Sequence, residues 1–489
     1  MPNAKRTDAL FEVEEVDVPV RPRQPAGVAK TFRHYDPNQA LLLPPSLDDW
    51  LPEGHEARFI AEVVDEALDL SMVYASYENA SGAPPYDPRM MLKLLLYCYS
   101  TGVTSSREME RRCHTDVAAR FLSANAAPDY RSISRFRRRH LVALDDLFVQ
   151  VLRLCFEAGL VRLGRVALDG TKLRASASRH KAMSHDRMQP RIEQLEAEVR
   201  SILAEAEATD LAEDEEFGED RRGDELPPEL ARRETRLAKI RAAKAAIEAE
   251  AADKAAQEAA AKARKKGADE DAQAEAATAA GAVAEPEGRA QRNFTDPESR
   301  IMKTSDGSFH YAYNAQAVVD EQTQVILACE LNNVATDIAQ LIPMIEHTDE
   351  RLRDADVEDR PTVVLADAGY CSKDNLNDAQ NAHVDVLIAT GRIRRGERVQ
   401  PSPRGPIPKN ATERELMARR LRTKKGRADY ARRKAIVEPV FGQMKVRQRA
   451  GFLRLRGLAG AHGEWTLHAL CHNLRKLANA SRSASLTTC

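Results

Sequence analysis

The sequence predicts an α/β fold: a mixed sheet with helices against it, preceded by an all-α region and interrupted by a helical insertion. Three observations carry this prediction. Apolar residues recur at helical spacing from about residue 45 to 160. Short apolar runs bounded by turn residues follow from 165 onward. Between them, 190–290 differs in composition and is rich in Ala, Glu, Lys and Arg.

The N-terminal part is predicted as a flexible arm over 1–30 and a helical domain over 31–160. Asp87 and Pro88 begin one helix, because proline is favoured at the first helical position. Ser132 can cap another, arginine-rich helix. Short helices joined by tight turns fit a helix-turn-helix-like DNA-binding domain, whereas the alternative is an ordinary bundle with a basic face. The predicted DNA-binding residues of this domain are Arg135, Arg137 and Arg138.

Strands are predicted over 161–189 and again over 291–480. They are 165–169, 311–319, 324–331, 362–366 and 384–389, the second and third forming a hairpin. Helices are predicted after Thr336 as a cap, near 373–381, and from about 430 to 480. Two strands end at Asp169 and Asp367, at the edge where α/β sheets place their chemistry.

The segment 190–290 is predicted as a helical hairpin and linker inserted into the sheet domain. Ile192, Leu195, Val199, Ile202 and Leu203 recur at helical spacing, and a second helix covers about 229–266. The Ala-rich stretch after 270 is predicted as disordered linker. Further along, 391–430 is predicted as a basic loop and 481–489 as a tail.

Charge is segregated along the 489 residues, although the net charge is only −2. Residues 392–456 contain 21 Lys/Arg against 5 Asp/Glu, a net of +16, and 205–225 contain 11 acidic against 2 basic residues, a net of −9. A basic stretch of this size is what contact with a phosphate backbone requires, although a solvated surface would also have this composition.

Composition excludes several classes of protein. The longest apolar runs are far shorter than the roughly 20 residues of a membrane span, and no signal peptide is evident. Seven scattered cysteines without a C-x-x-C pair disfavour a disulfide framework or a structural zinc site. We therefore expect a cytoplasmic protein. No nucleotide-binding glycine pattern is present.

Three carboxylates are candidate metal ligands: Asp169, Asp367 and Glu438. Cleaving a phosphodiester needs an activated oxygen and a stabilised leaving oxygen, which two Mg²⁺ ions can provide together. Mg²⁺ prefers oxygen ligands from several elements. Singly, each residue has an ordinary explanation as a turn or helix-start residue. Their combination with the basic stretch favours the metal site.

Several motifs carry a resemblance to a known family. They are LDGTK at 168–172, NFTDPESR at 293–300, YNAQ at 313–316, ADAGY at 366–370 and YARRKAIVEPVFGQMK at 430–445. In this order they resemble the DDE transposases of bacterial insertion sequences, in the insertion-sequence 4 and 5 assemblage and most closely the group numbered 1182. The resemblance covers roughly 30–480, apart from the insertion.

The resemblance implies an RNase H-like catalytic domain that cuts double-stranded DNA at terminal inverted repeats and joins it to a target. Asp169, Asp367 and Glu438 would bind two Mg²⁺ or Mn²⁺ ions. Basic and aromatic residues of the third motif would hold DNA near the scissile phosphate: Tyr430, Arg433 or Lys434, and Lys445. A homodimer on DNA and association with the nucleoid are also implied.

The third motif departs from the family signature in one respect. Arg433 has the expected spacing from Tyr430, whereas Lys434 has the expected spacing to Glu438. In addition, Pro439 disfavours helical geometry at Glu438, which predicts a helix start or a kink there.

Three rival functions share these features. They are an RNase H-like nuclease or resolvase, a non-catalytic DNA-binding regulator derived from a transposase, and an oligomerisation scaffold built on the insertion. His180 and His185 are interpreted as exposed, and His468 and His472 as a packed or half-exposed pair, rather than metal ligands.

Overall fold

The computed structural model describes residues 46–77, 84–178, 181–217, 228–391, 401, 405–408 and 410–487. The arm predicted over 1–30, the acidic turn after 217 and much of the basic stretch before 410 lie outside the described residues. From Leu47 onward the chain forms one compact unit. No helix in the described part of the chain is both long and apolar enough to cross a bilayer.

The central sheet has six strands and mixed directions. They are β1 (Arg165–Arg174), β4 (Arg300–Lys303), β5 (Phe309–Asp320), β6 (Ile326–Asn332), β7 (Val363–Ala366) and β8 (Val386–Ile388). β1 lies centrally, antiparallel to β5 and parallel to β7, and β8 continues the parallel half. β4 and β6 pair with successive parts of β5 on its other edge. The predicted mixed sheet is therefore confirmed.

The hairpin predicted from alternating residues is confirmed by β5 and β6. Its turn includes Gln324 at a φ of +65°. Strand β1 is longer than predicted and continues past Asp169 to Arg174, because its second half still pairs with β5. The parallel neighbour β7 ends at Ala366, so β1 projects beyond it.

Eight helices precede the sheet in the described residues. They are α1 (Leu47–Trp50), α2 (Glu56–Glu62) with a π turn at Val63–Ala67, α3 (Ser71–Ala75), α4 (Pro88–Ser100), α5 (Ser106–Thr115), α6 (Val117–Leu122), α7 (Tyr130–Arg139) and α8 (Leu141–Glu157). Asp87 caps α4 with Pro88 at its first position, as predicted. Asp129, not Ser132, caps α7, and Ser132 donates to Asp129 instead.

The insertion contains three helices. They are α9 (His185–Phe217), α10 (Pro228–Lys265) and α11 (Glu270–Ala282). Met188, Ile192, Leu195, Leu237 and Ile240 belong to its own apolar core. Two short strands at its base, β2 (Ala182–Ser184) and β3 (Gln291–Asn293), pair antiparallel and bring its two ends together.

The prediction of disordered linker after 270 is wrong over α11. Asp269 caps this helix by accepting a hydrogen bond from Ala272 N at 2.9 Å. Alanine has the highest helix propensity, so an Ala-rich stretch behind a cap folds as a helix.

The remaining helices surround the sheet. They are α12 (Leu341–Asp354), α13 (Lys373–Asn381), α14 (Glu413–Leu421), α15 (Lys424–Val446) and α16 (Leu458–Thr487). The predicted loop 391–430 therefore contains a helix, α14, which begins with a capping box between Thr412 and Glu415. The predicted tail 481–489 continues α16 to Thr487.

Glu438 lies in the middle of α15, so of the two predicted alternatives the helix start is wrong. Pro439 cannot donate to the carbonyl of Ala435, one turn earlier. That carbonyl instead accepts a hydrogen bond from Gln324 Nε2 at 3.0 Å. A side chain from the β5–β6 turn thus replaces the missing backbone bond.

Arg137 was predicted to bind DNA, but the structure buries it at 5% exposure. Its Nη1 donates to Tyr99 Oη at 2.5 Å and to the carbonyl of Thr104 at 2.9 Å. Arg137 Nη1 also lies 4.0 Å from Oε1 of Glu464, a fully buried residue of α16. The same oxygen accepts a hydrogen bond from Tyr99 Oη at 2.8 Å. Arg137 thus joins α7 to α4 and α16 and is not available to a ligand.

Replacing Glu464 with alanine should lower the free energy of unfolding by about 3–5 kcal/mol, because it leaves the buried Arg137 charge without its counter-ion. Urea denaturation of the purified chain measures this. Glu346→Ala, an exposed carboxylate on α12, is the control and should change stability by less than about 0.5 kcal/mol. A loss under about 1 kcal/mol for Glu464→Ala would contradict the assigned role of the pair.

Candidate active site

The register of two parallel strands brings Asp169 and Asp367 together. Leu168 on β1 pairs with Ala366 on β7, so the next residue of each strand is one of the two aspartates. Burial raises the pKa of Asp169 above its ordinary value, and the charge of Asp367 raises it further, while Arg433 lowers it. Asp367 Oδ1 accepts a hydrogen bond from Gly369 N at 2.7 Å, which fixes that carboxylate.

Arg433 is the counter-ion of Asp169. It is 7% exposed, and its Nη1 lies 2.9 Å from Asp169 Oδ2. Burial acts to lower the pKa of Arg433, but Asp169 and the other neighbours raise it overall. Lys434, the other residue allowed by the signature spacing, is exposed. Arg433 is therefore the one of the two that lies in the site.

Two more residues of α15 lie at the same end of the sheet. Lys445 Nζ donates to Thr171 Oγ1, two residues after Asp169 on β1. Burial lowers the pKa of Lys445, against the effect of Asp169. Tyr430 is half-buried, and burial raises its pKa, against the effect of Arg433 beside it.

Glu438 lies on the helix that supplies these residues, but it is exposed. Within the described residues it makes no hydrogen bond or ion pair with Asp169 or Asp367. It precedes Lys445 by seven residues, about two helical turns, so the two project from the same side of α15. Among the described residues, no three His, Cys, Asp or Glu side chains are grouped closely enough to hold one ion.

The donor set fits a divalent cation in its chemistry. Two neighbouring carboxylates, one with a pKa raised by burial and by the other's charge, offer the hard oxygen ligands that Mg²⁺ and Mn²⁺ take. Asp169 and Asp367 are the residues that could hold such an ion. The structure therefore assembles two members of the predicted triad and places the third on the adjacent helix.

Four polar residues of the site were not singled out individually from the sequence: Lys172, Asn314, Gln316 and Asp337. The side chains of Asn314 and Gln316 are fully buried on β5. Asp337 Oδ1 accepts hydrogen bonds from Lys172, Asn314 and Gln316. Tyr370 donates to Gln316 Oε1. The motif YNAQ could have indicated these two residues, because it places the amides of Asn314 and Gln316 in an otherwise apolar strand.

Of the histidines set aside as metal ligands, His180 lies outside the described residues, His185 is partly exposed on the insertion, and His468 and His472 lie in the core. His468 and His472 are packed in α16, and burial lowers the pKa of each to about 3. His472 Nε2 lies 2.9 Å from the carbonyl of Gln324. Trp465 Nε1 donates to the carbonyl of Gln316 at 3.1 Å beneath the site. His185 Nε2 lies 3.3 Å from Glu248 on α10.

The other arginines of α7 differ from Arg137. Arg135 and Arg138 are exposed on this helix. At its start, Arg107 and Arg131 lie over the ring of Tyr130, at 5.0 and 5.7 Å from its centroid. α7 therefore presents a basic face with an aromatic ring at one end.

Two protein-family models match the chain. A transposase domain (DUF772) matches residues 45–139, which span α1 to α7. A transposase DDE domain matches residues 286–474, which include Asp367 and Glu438. Together they indicate a DDE-type transposase. No curated protein and no solved structure matches the chain.

The arrangement of the sheet agrees with the transposase DDE match. A mixed sheet with β1 central, antiparallel on one side and parallel on the other, is consistent with the RNase H-like fold of DDE transposases. Asp169 lies outside both matched segments, between them, and enters the site through the pairing of β1 with β7.

Replacing Gly170 with alanine should destabilise the transposase by about 1–3 kcal/mol, as overpacking does. A Cβ there would lie 2.5 Å from Gln316 Nε2 and 2.8 Å from Asp337 Oδ1. Thermal or urea unfolding measures the loss. The control, Gly442→Ala in α15, meets open space and should stabilise by about 0.5–1 kcal/mol through helix propensity. Equal stability of Gly170→Ala and the parent would contradict the close packing described.

Proposed function

We propose that this transposase cleaves DNA at the ends of an insertion sequence and joins the freed ends to target DNA. The observation that carries the proposal is the pair Asp169 and Asp367, held side by side at the end of the parallel strands beneath a helix of basic side chains. The motif order supports membership of the insertion-sequence 4 and 5 assemblage, closest to the group numbered 1182.

Asp169, Asp367 and Glu438 are proposed to hold two Mg²⁺ or Mn²⁺ ions. When bound, such ions activate the attacking oxygen, water or a 3′-hydroxyl, and stabilise the leaving oxygen. The chain's own part is to keep the two aspartates in register and to compensate their charge. Asp169 is partly buried, which strengthens its interactions with neighbouring charges.

The basic residues of α15 divide their roles according to exposure. Arg433 is buried against Asp169 and orients that carboxylate. Lys434 is exposed, so we assign it the contact with DNA phosphate that the signature gives to a basic residue here. Lys445 holds Thr171 and, with the half-buried Tyr430, borders the path of the strand near the scissile phosphate.

Recognition of double-stranded DNA is assigned to the helical region that matches the first transposase domain. The exposed Arg135 and Arg138 of α7 fit contacts to the terminal inverted repeats. Inverted repeats are related by a two-fold axis, so a homodimer that shares this symmetry would engage both ends. Binding to chromosomal DNA would place the protein at the nucleoid of the cytoplasm.

Two rival functions remain separable by experiment. A nuclease or resolvase on the same scaffold would cleave without joining the 3′-end to a target, and a regulator would bind DNA without cleaving it. The pairing of Asp169 with Asp367 favours a catalytic protein over the regulator, because two neighbouring carboxylates repel each other and a bound cation would relieve the part of that repulsion that Arg433 does not compensate.

Asp367→Asn should reduce cleavage of DNA in Mg²⁺ by roughly 10³-fold or more, because a neutral amide is a poor ligand for the ion that stabilises charge in the transition state. The substrate is a duplex from the DNA that flanks the gene, and its cleavage and joining are followed on a denaturing gel. Binding to the same duplex should remain within about threefold of the parent.

Asp374→Asn is the matched control, since this exposed carboxylate lies on α13, seven residues further along the chain. It should cleave like the parent. Persistent cleavage by Asp367→Asn would show that Asp367 is not a ligand, whereas cleavage without joining by the parent would favour the nuclease.

The double variant Arg135→Ala, Arg138→Ala should bind the flanking duplex more weakly and with a lower dependence on salt. Losing two phosphate contacts should reduce the slope of log K against log salt by about two. Fluorescence anisotropy at several salt concentrations measures this. Arg232→Ala, exposed on α10, is the control and should leave the slope unchanged. An unchanged slope in the double variant would remove α7 from the DNA interface.

A further inference from the structure

Asp337 ties the two central strands of the sheet together at the site. Its Oδ1 accepts hydrogen bonds from Lys172 Nζ at 3.1 Å, Asn314 Nδ2 at 2.7 Å and Gln316 Nε2 at 2.8 Å. Lys172 comes from β1, three residues after Asp169, and the two amides come from β5. One carboxylate oxygen therefore collects donors from both strands.

The position of Asp337 relates it to both aspartates of the site. A Cβ built on Gly170, next to Asp169, would lie 2.8 Å from Asp337 Oδ1. A Cβ built on Gly369, two residues after Asp367, would lie 3.7 Å from Asp337 Oδ2. Asp337 thus lies close to the backbone that follows each aspartate. The absence of a side chain at Gly170 allows this close approach, whereas the distance at Gly369 is an ordinary van der Waals contact.

Helix capping does not account for the orientation of Asp337. It precedes the 3₁₀ turn Ile338–Gln340 that leads into α12, where an aspartate ordinarily accepts from the first backbone N–H groups. Its side chain makes no such bond here. The side chain turns to the sheet instead, although the cap bond it forgoes would be favourable by about 1 kcal/mol.

The network continues to the backbone that carries Asp367. Gln316 donates to Asp337 and accepts from the hydroxyl of Tyr370, three residues after Asp367. Tyr370 and Gln316 are fully buried, so these bonds have no competition from solvent. Asp337 is thus connected to the Asp169 strand directly and to the Asp367 turn through one buried amide.

We infer that Asp337 is a positioning residue of the DDE site, which fixes the spacing of Asp169 and Asp367 for divalent-cation binding. This inference rests on the proposed function. Asp337 acts by accepting hydrogen bonds, since its Oδ1 receives three donors that fix the strands carrying the site. Partners that orient metal ligands are commonly worth 10–100-fold in metal affinity.

The test is binding of Mn²⁺ to the full-length protein, with free Mn²⁺ measured by electron paramagnetic resonance. Asp337→Ala should weaken the Asp169-dependent binding about 10–100-fold. Asp337→Asn, which keeps an acceptor oxygen for the same donors, should restore binding to within about threefold of the parent. Asp349→Ala, a partly buried carboxylate of α12 paired with Arg360 at 3.2 Å, is the matched control and should bind like the parent.

Unfolding curves of each variant accompany the titrations. Should Asp337→Ala fail to fold, Asp337→Ser is titrated in its place, since a small polar residue lets water enter the space. Parent-like Mn²⁺ binding by the folded alanine or serine variant would overturn the inference. So would an asparagine variant as weak as alanine, since charge and not positioning would then be responsible.

The failure of the proposed function gives a different result. In that case the parent would show no Mn²⁺ binding that Asp169→Asn removes, and the Asp337 variants would have nothing to alter. Asp169-dependent binding in the parent together with insensitivity to Asp337 would leave the proposed function intact and remove only the positioning role.

Discussion

Two carboxylates held side by side are the constraint on which the rest of this structure depends. The register that pairs Leu168 with Ala366 fixes Asp169 beside Asp367, and burial makes their mutual repulsion strong. The chain compensates on one side with Arg433 from α15, which lies against Asp169. On the other side, Asp337 accepts hydrogen bonds from Lys172 of β1 and from two amides of β5. The position of α15 is therefore as important to the site as the sheet itself.

The N-terminal helices pack against the end of α15. Gly102, in the turn between α4 and α5, has a φ of +82°, and a Cβ there would lie 2.3 Å from the carbonyl oxygen of Arg447, just past the end of α15. Arg447 and Arg475 both reach Glu56 of α2, at 3.1 and 3.8 Å. The segment matching the first transposase domain thus packs directly on the segment that carries Arg433 and Lys445.

Much of the fold could be predicted from periodicity, because strand alternation and helix spacing are local properties. The hairpin β5–β6, the strand before Asp367 and the cap at Asp87 are examples. The errors arose where a distant partner decides the outcome. Arg137 belongs to an arginine-rich helix and looked exposed, but its counter-ion Glu464 lies far along the chain. The hydrogen bond from Gln324 to the carbonyl of Ala435 also comes from a distant part of the chain, so the local sequence around Pro439 does not predict it.

In the candidate site, Asp337 was not predicted, because an aspartate that follows a threonine and precedes a helix resembles a helix cap. Two missed helices were recoverable, since the alanine propensity and the Asp269 cap of α11 and the Thr412–Glu415 capping box of α14 were all in the sequence.

The short ladder between β2 and β3 determines how the insertion relates to the catalytic sheet. The chain leaves the sheet domain through β2 and returns to it through β3. Because these two strands pair, the two ends of the insertion are held together. The entropy of closing such a loop rises only with the logarithm of its length. Although Glu250 of α10 pairs with Arg300 at the start of β4, a change of length in the helices beyond that contact adds little to the entropy of closing the loop. This gives the transposase a place where new sequence can be acquired at little thermodynamic penalty.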